Sequence, residues 1–407
     1  MATQAVAAEE ARHSSWQRYF PILVIAQFIA SLGFGFAQPF MPLFVQELAQ
    51  STAGEAALWA GLIAAVNGPI MFVAGPTWGI LSDWFGHKRM VLRASFGAGV
   101  CMALTGMATD LPQLFVVRAG MGAVSGIWPA INGLSASLAP KSRLPFSVGV
   151  LQGANAVGNT LGPVVGGVFV AWLGFSYGFF SSGAILVMAG LLVLFFVREA
   201  FHPRAGQRKS VVGVFGDIRE MVLLPGMRPV LVLMTLAQFA PNLVMPVIAL
   251  FVKSLDPAYG AIVIGLVFTV MGLTTAVSAW VTAMVASRFG YKFFLLVGSA
   301  LVGLGAVVMS VAPDLTIAMA SAALMGAGIG IVNTRASALV GEFAPADRQG
   351  AAFGIMQSAN ALGFGFGPLV GGVIAAQWGL RMPFVVEAVT FAIFAVYVVQ
   401  LRARKAV

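Results

Sequence analysis

The sequence predicts an all-α membrane protein in which twelve transmembrane helices form two pseudo-symmetric bundles of six. Three observations lead there. Hydrophobic residues make up 59% of the 407 and charged residues only 9%, against roughly 45–50% and about 25% in soluble chains. Apolar runs of about the 20 residues that a bilayer core requires recur along the chain. The two halves also repeat: 151–174 (LQGANAVGNTLGPVVGGVFVAWLG) aligns with 356–379 (MQSANALGFGFGPLVGGVIAAQWG) at an offset of 205. So little charge cannot cover a water-exposed surface, which excludes a soluble enzyme, a nucleic-acid binder and a disordered chain. The net charge of +9 is then a matter of membrane topology, because Lys and Arg accumulate in cytoplasmic loops.

The runs lie near 19–45, 58–80, 91–109, 112–138, 146–172, 178–197, 229–252, 260–284, 293–312, 315–341, 350–376 and 382–401. They are continuously apolar, whereas a lipid-facing barrel strand alternates over about ten residues, so helices are expected. A tail at 1–18 leads into bundles at 19–197 and 229–401, joined by the polar stretch 198–228 and followed by a tail at 402–407. The first run is longer than a signal-peptide core and follows Glu9 and Glu10, so it is expected to be retained. With both termini cytoplasmic, the inner segments hold 19 of the 23 Lys and Arg and the outer loops hold only Lys253 and Arg381.

Taken in order, the first run offers Gln27 and Gln38 but no acid. The second ends in Gly79-Ile-Leu-Ser-Asp83-Trp-Phe-Gly86-His-Lys88-Arg89. Glycines there allow a very short turn, and a carboxylate at the membrane edge suits a cation or a helix N-terminus. The fourth run carries Arg118, within Leu114-x-x-x-Arg118-x-x-x-Gly122, and then Trp128 and Asn132. An arginine in the bilayer costs about 2.5–3.5 kcal/mol, so it faces a cavity or a partner, or snorkels to the nearby outer edge. In the fifth run Gly158, Gly162, Pro163, Gly166 and Gly167 permit close helix approach, and Pro163 permits a bend. These five, with Gln152 and Asn155, match Gly363, Gly367, Pro368, Gly371, Gly372, Gln357 and Asn360 of the eleventh run.

In the seventh run Ala237-Gln238-Phe239 echoes Ala26-Gln27-Phe28, and Asn242 follows. The loop after the eighth run has Ser287 where the first half has Asp83. The tenth run holds Asn333 and Arg335, the latter seven residues, or two turns, before Glu342. That spacing fits a structural ion pair as well as a substrate contact. Glu387, in the twelfth run, is the one acid well inside a span, and burial there favours its neutral form.

Together these motifs resemble the major facilitator superfamily along nearly the whole of 16–401. The resemblance implies the major facilitator fold. It makes Asp83, with Gly79, Gly86, Lys88 and Arg89, a cytoplasmic gate that latches the halves, and Ser287 means a single latch is expected. The fifth-run glycines and Pro163 look like the antiporter motif of drug:proton exchangers, and Arg118 matches an arginine assigned to proton relay. The nearest likeness is to bacterial multidrug exporters, which implies export of small lipophilic or cationic compounds by alternating access, in exchange for protons.

Such exchangers often carry a carboxylate in the first helix. Its absence here leaves Glu387, Asp83 and Arg118 as proton-coupling candidates, with Glu342 behind them. The expected cavity is lined by Gln27, Gln38, Trp128, Asn132, Gln238, Asn242, Asn333 and Arg335, flanked by Asn67, Gln152, Asn155 and Asn360. The 19 methionines and 32 phenylalanines suit a lipophilic guest. An exporter or facilitator of a sugar, amino acid, siderophore or lysolipid, or a membrane receptor, are the alternatives.

A single Cys101 and three histidines in polar segments cannot form a metal site. No phosphate-binding G-x-x-x-x-G-K-[ST] loop is present, so no cofactor is expected beyond a proton gradient. No catalytic residues are expected, and hence no enzyme. The expected partners are a small solute, protons and the lipid bilayer, for a monomer in a cell inner (plasma) membrane.

Overall fold

The computed structural model describes residues 2–199, 227–343 and 349–400, with side chains for 16–199, 228–339 and 360–400 except Pro76 and Lys141. All regular structure among these residues is helical. The helices are α1 (Ala2–Ala37), α2 (Met41–Ala49), α3 (Ala53–Ala65), α4 (Asn67–Phe85), α5 (His87–Met107), α6 (Leu111–Val124) and α7 (Ile127–Leu138). They continue as α8 (Leu144–Phe196), α9 (Met227–Leu255), α10 (Ala261–Val285), α11 (Tyr291–Val311), α12 (Leu315–Phe343), α13 (Gln349–Trp378) and α14 (Met382–Gln400). Most of the 198–228 linker and the tail at 402–407 lie outside the described residues.

Among the described residues, eleven segments are long and apolar enough to cross a membrane. One of them, α8, runs 53 residues and contains both the fifth and the sixth expected runs, divided at Gly174 (φ 83°). Gly379, at the repeat offset of 205 from Gly174, takes the same left-handed turn (φ 89°) between α13 and α14. That conformation clashes with a Cβ, so glycine marks the same corner twice. With α8 counted as two at that break, the described residues hold the twelve apolar spans the sequence predicts. The bend allowed for at Pro163 does not break α8, whose only non-helical residue is Gly174.

Three spans of the first half are interrupted. The first breaks into a 3-10 turn at Gln38–Phe40, the second kinks at Val66, and the fourth breaks at Ser125–Gly126, where Gly126 has φ 113°. Side chains take up the carbonyls that the fourth-span break exposes. Trp78 Nε1 donates to Ala123 O at 2.7 Å and Arg93 Nη2 to Ser125 O at 3.4 Å. The Arg93 guanidinium lies 3.6 Å from the centre of the Trp78 ring. A cation at the C-terminal end of a half-helix is favoured by the helix dipole.

Within each half the repeated glycine face brings two helices together. Gly158, Gly162 and Gly166 meet Phe28, Gly35 and Phe36 of α1, and Gly363, Gly367 and Gly371 meet Gln238, Phe239 and Leu243 of α9. A Cβ at Gly158 would lie 2.6 Å from the Phe28 carbonyl oxygen, and one at Gly367 would lie 2.7 Å from that of Phe239. Neither pair of backbones could be this close with a larger residue.

The ends of the molecule differ in charge. The turns near 50, 109, 174, 258, 313 and 380 form a charge-poor end, and those near 86, 140 and 288 a charge-rich end. One apolar core crosses both halves at the charge-poor end, joining Phe40, Val45 and Phe179 to Phe251, Ile264 and Phe384. At the charge-rich end the second half has a core of its own around Leu233, Leu295, Leu339 and Phe394.

Candidate functional site, a cleft between the halves

The two halves meet where α3 packs on α13 and α8 packs on α10. Gly54, Gly61, Gly68 and Gly75 recur every seven residues, nearly two helical turns, so all four share one helix face. The first three of these abut the other half: Gly54 meets Ala376, Gly61 meets Pro368, and a Cβ at Gly68 would lie 2.5 Å from Gly365 Cα. Gly75 meets no described residue within 4 Å. The second contact behaves alike. Gly167 meets Ala261 and Gly265 meets Pro163, whereas Gly153, on the same face of α8 nearer the charge-rich end, meets nothing within 4 Å. Both contacts therefore close at the charge-poor end and are lost toward the charge-rich end, which leaves a cleft between the halves.

The wall supplied by the first half is polar. Trp128 Nε1 donates to Ser31 Oγ at 3.1 Å, and Ser31 Oγ donates to Asn155 Oδ1 at 2.6 Å. Asn159 Nδ2 donates to the same Asn155 oxygen at 2.8 Å, and Gln27 Nε2 reaches Ser31 Oγ at 3.5 Å. Phe34 packs on Trp128 with ring centroids 5.0 Å apart. Asn159 is exposed, and its 100° step from Gly158 turns it between the faces that meet α1 and α10. Gln152 is exposed as well.

The other half repeats this pattern in simpler form. Gln238 Nε2 donates to Asn360 Oδ1 at 2.8 Å, and Asn242 Nδ2 donates to Gln238 O at 2.7 Å. Phe364 is half exposed at the position that matches Asn159. One wall is thus lined by amides and the other carries a phenyl ring.

The remaining sequence candidates sit elsewhere. Arg118 is buried inside the first half, 3.5 Å from Met121 Sδ and 5.9 Å from the Phe179 ring centre, with Nε and Nη2 unpartnered. Glu387 is fully buried beside Phe384 and Phe391 on α14, which packs on α9 and α11, and both its oxygens lack a partner among the described residues. Arg335 lies 5.6 Å from the Phe294 ring of α11. Asn67 sits against Gly122 of α6. Asn132 and Asn333 are partly buried, and Gln38 is exposed on its 3-10 turn. The side chains of Glu342 and Gln357 lie outside the described residues.

The motif between α4 and α5 makes a joint with the end of the sixth span. Gly86 turns the chain at φ 95°. The Glu199 carboxylate accepts from the backbone N–H of His87 at 3.0 Å and of Lys88 at 2.8 Å, and Lys88 Nζ donates to Leu194 O at 2.8 Å. Ser82 Oγ and His87 Nδ1 are 2.6 Å apart. Asp83, Gly79 and Arg89 are exposed, and Asp83 forms no ion pair with a described residue.

Ser31, Asn159, Glu199 and the Trp78–Arg93 pair were not singled out from the sequence. Asn159 and Ser31 could have been found from the repeat, since they lie within or one turn from its matched positions. Glu199 carries no local signal, because its partners are more than 100 residues away in the chain. Among the described residues no group of three His, Cys, Asp or Glu could hold a metal ion.

The family model described as Major Facilitator Superfamily matches residues 23–263 and 230–406. The chain is 29% identical over 385 residues to the multidrug resistance protein MdtG of Enterobacter lignolyticus, covering 94% of this chain and 92% of that one. It is also 29% identical over 389 residues to MdtG of Salmonella typhimurium, with 94% and 95% covered. Among solved structures, the nucleoside transporter NupG superimposes with a TM-score of 0.81 at 12% identity, covering 93% of this chain and 98% of that one. The human organic anion transporter MFSD10 gives 0.70 at 16% identity, with 94% and 99% covered.

Proposed function

The chain belongs to the major facilitator superfamily, a family of membrane transporters, and from that premise we propose that it exports small lipophilic or cationic compounds in exchange for protons by alternating access. The observation that carries this reading is the one-ended seam. Gly61 and Gly265 are pressed against the opposite half, while Gly75 and Gly153 on the same faces have no described residue within 4 Å. A rigid tilt of one half against the other would close the free ends and open the closed ones, as in transporters built from repeated bundles. The relatives named multidrug resistance proteins support a drug-like guest, as does a cleft of amides, aromatic rings and no described acid.

Placing the charge-rich end in the cytoplasm, as the positive-inside tendency favours, makes this reading one of a monomer in the inner membrane with both termini cytoplasmic and its cleft open inward. Asp83, exposed and with no ion-pair partner among the described residues, would latch the halves when that end closes. Glu387 is the acid assigned to carry the proton. It is fully buried, so in this scheme proton exchange at Glu387 accompanies a movement of α14 against α9 and α11 that opens a path to it. Arg118 is assigned to the relay in the first half. No cofactor is required beyond the proton gradient.

Drug-stimulated proton flux in proteoliposomes tests the scheme. Glu387→Gln should keep drug binding and lose at least tenfold in flux, while Asp83→Asn and Arg118→Ala slow exchange. Normal flux in all three variants would remove these residues from the mechanism, and a protein that moves no solute under any gradient would end the exporter reading.

A further inference from the structure

The hydrogen bonds on the polar wall have a fixed direction. Trp128 Nε1 is a donor only, so Ser31 Oγ must accept from it. The one hydroxyl proton of Ser31 goes to Asn155 Oδ1, which also accepts from Asn159. The remaining lone pair of Ser31 can only accept, so Gln27 turns its amide nitrogen toward it. That leaves Gln27 Oε1 facing away, buried and without a partner among the described residues. Asn132 Oδ1 is likewise buried and unpartnered.

These two oxygens fall in one layer. The first and fourth spans run in opposite directions, and Ser31 pairs with Trp128 across them. Gln27 lies four residues before Ser31 and Asn132 four residues after Trp128, so each is one turn, about 6 Å, closer to the charge-rich opening. A buried acceptor with nothing to accept is costly, and here two occur at the same depth of neighbouring spans. One turn deeper on the fourth span is the Trp128 ring and two turns deeper on the first is that of Phe34, the two packed on each other, and ring faces attract cations. The described side chains of α1 and α7 include no acid.

We propose that Gln27 and Asn132 form a hydrogen-bond-acceptor subsite that recognises an amine head group through its N–H donors, with the apolar body of the guest lying toward Phe364. This rests on the exporter reading and sharpens it: selection is by donor hydrogens rather than by positive charge. A quaternary ammonium has the same charge and no N–H, so it gains nothing from the two oxygens.

The probes are 4-phenylbutylamine and its N-trimethylated analogue, with binding measured calorimetrically on the full chain in nanodiscs. The natural chain should bind the amine about tenfold more tightly than the analogue. Gln27→Leu and Asn132→Leu, made separately so that either serves if the other fails to fold, should each bring the amine down to the level of the analogue and leave the analogue unchanged. Gln27→Glu, which keeps acceptors and adds charge, should strengthen both probes. Equal loss on both probes, or no loss on the amine, overturns the subsite and leaves the exporter reading standing. A natural chain that binds neither probe overturns the subsite, and failure of the same protein to export either one removes the exporter reading too.

Discussion

A carboxylate that accepts from two backbone N–H groups at a helix N-terminus stabilises that helix through both hydrogen bonding and its dipole. Glu199 does this for α5, from the far end of the sixth span. Glu199→Ala should therefore cost about 1 kcal/mol, read as a lowered midpoint in thermal unfolding, whereas Glu199→Asp should recover part of it. Trp128 exerts a comparable local control, since its single N–H orders the amides around Ser31. Several polar residues were recognisable in the sequence, but their directions were not. Arg118 shows the gap. Its depth in the fourth span is plain from the run it occupies, yet only packing turned it toward Phe179 inside the first half. A helix has faces all round, and periodicity alone does not say which neighbour each one meets.

At the level of helices, the seam is made from glycines that leave no room for a side chain. A Cβ at Gly61 would land on the Pro368 carbonyl, and the nearest atoms around it are backbone, which cannot swing aside. Gly61→Val should therefore force α3 and α13 apart, weakening closure of the charge-poor end. Gly75→Val enters open space in this state and should leave its thermal stability within about 0.5 kcal/mol. It should nonetheless slow transport severalfold if the free end must close during the cycle. Spin-label distances across each end, with efflux rates, would separate the two outcomes; equal effects from both substitutions would contradict the one-ended seam. The repeated Gly-x-x-x-Gly-Pro segments announced tight packing in the sequence, and the structure adds the partners: the first span for three glycines of one copy, the seventh for three of the other, and the opposite half for Gly167 and Gly372. The spacing of Gly54, Gly61, Gly68 and Gly75 was equally present in the sequence, but a seven-residue step carries no label saying that it joins two halves.

For the whole molecule, the charge asymmetry makes an orientation prediction. With Cys101 replaced by Ser, a single cysteine at Asp110 or Asp256 should react with an impermeant thiol reagent added to intact cells. One at Asp83 or Arg288 should react only after permeabilisation. The opposite labelling would invert the membrane topology and, with it, the state that the open cleft represents.

The number of spans, the division into halves, the repeat and the charge asymmetry all followed from the sequence, because a bilayer demands about 20 apolar residues per crossing and punishes charge wherever it occurs. Those are local requirements, and local sequence answers them. The breaks at Gln38, Val66 and Gly126, the end at which the halves touch, and the orphaned oxygens of Gln27 and Asn132 depended on how distant helices fit together. Contacts between spans are set by shape and by the competition among donors and acceptors in one shared interior, and no single stretch of chain contains that information.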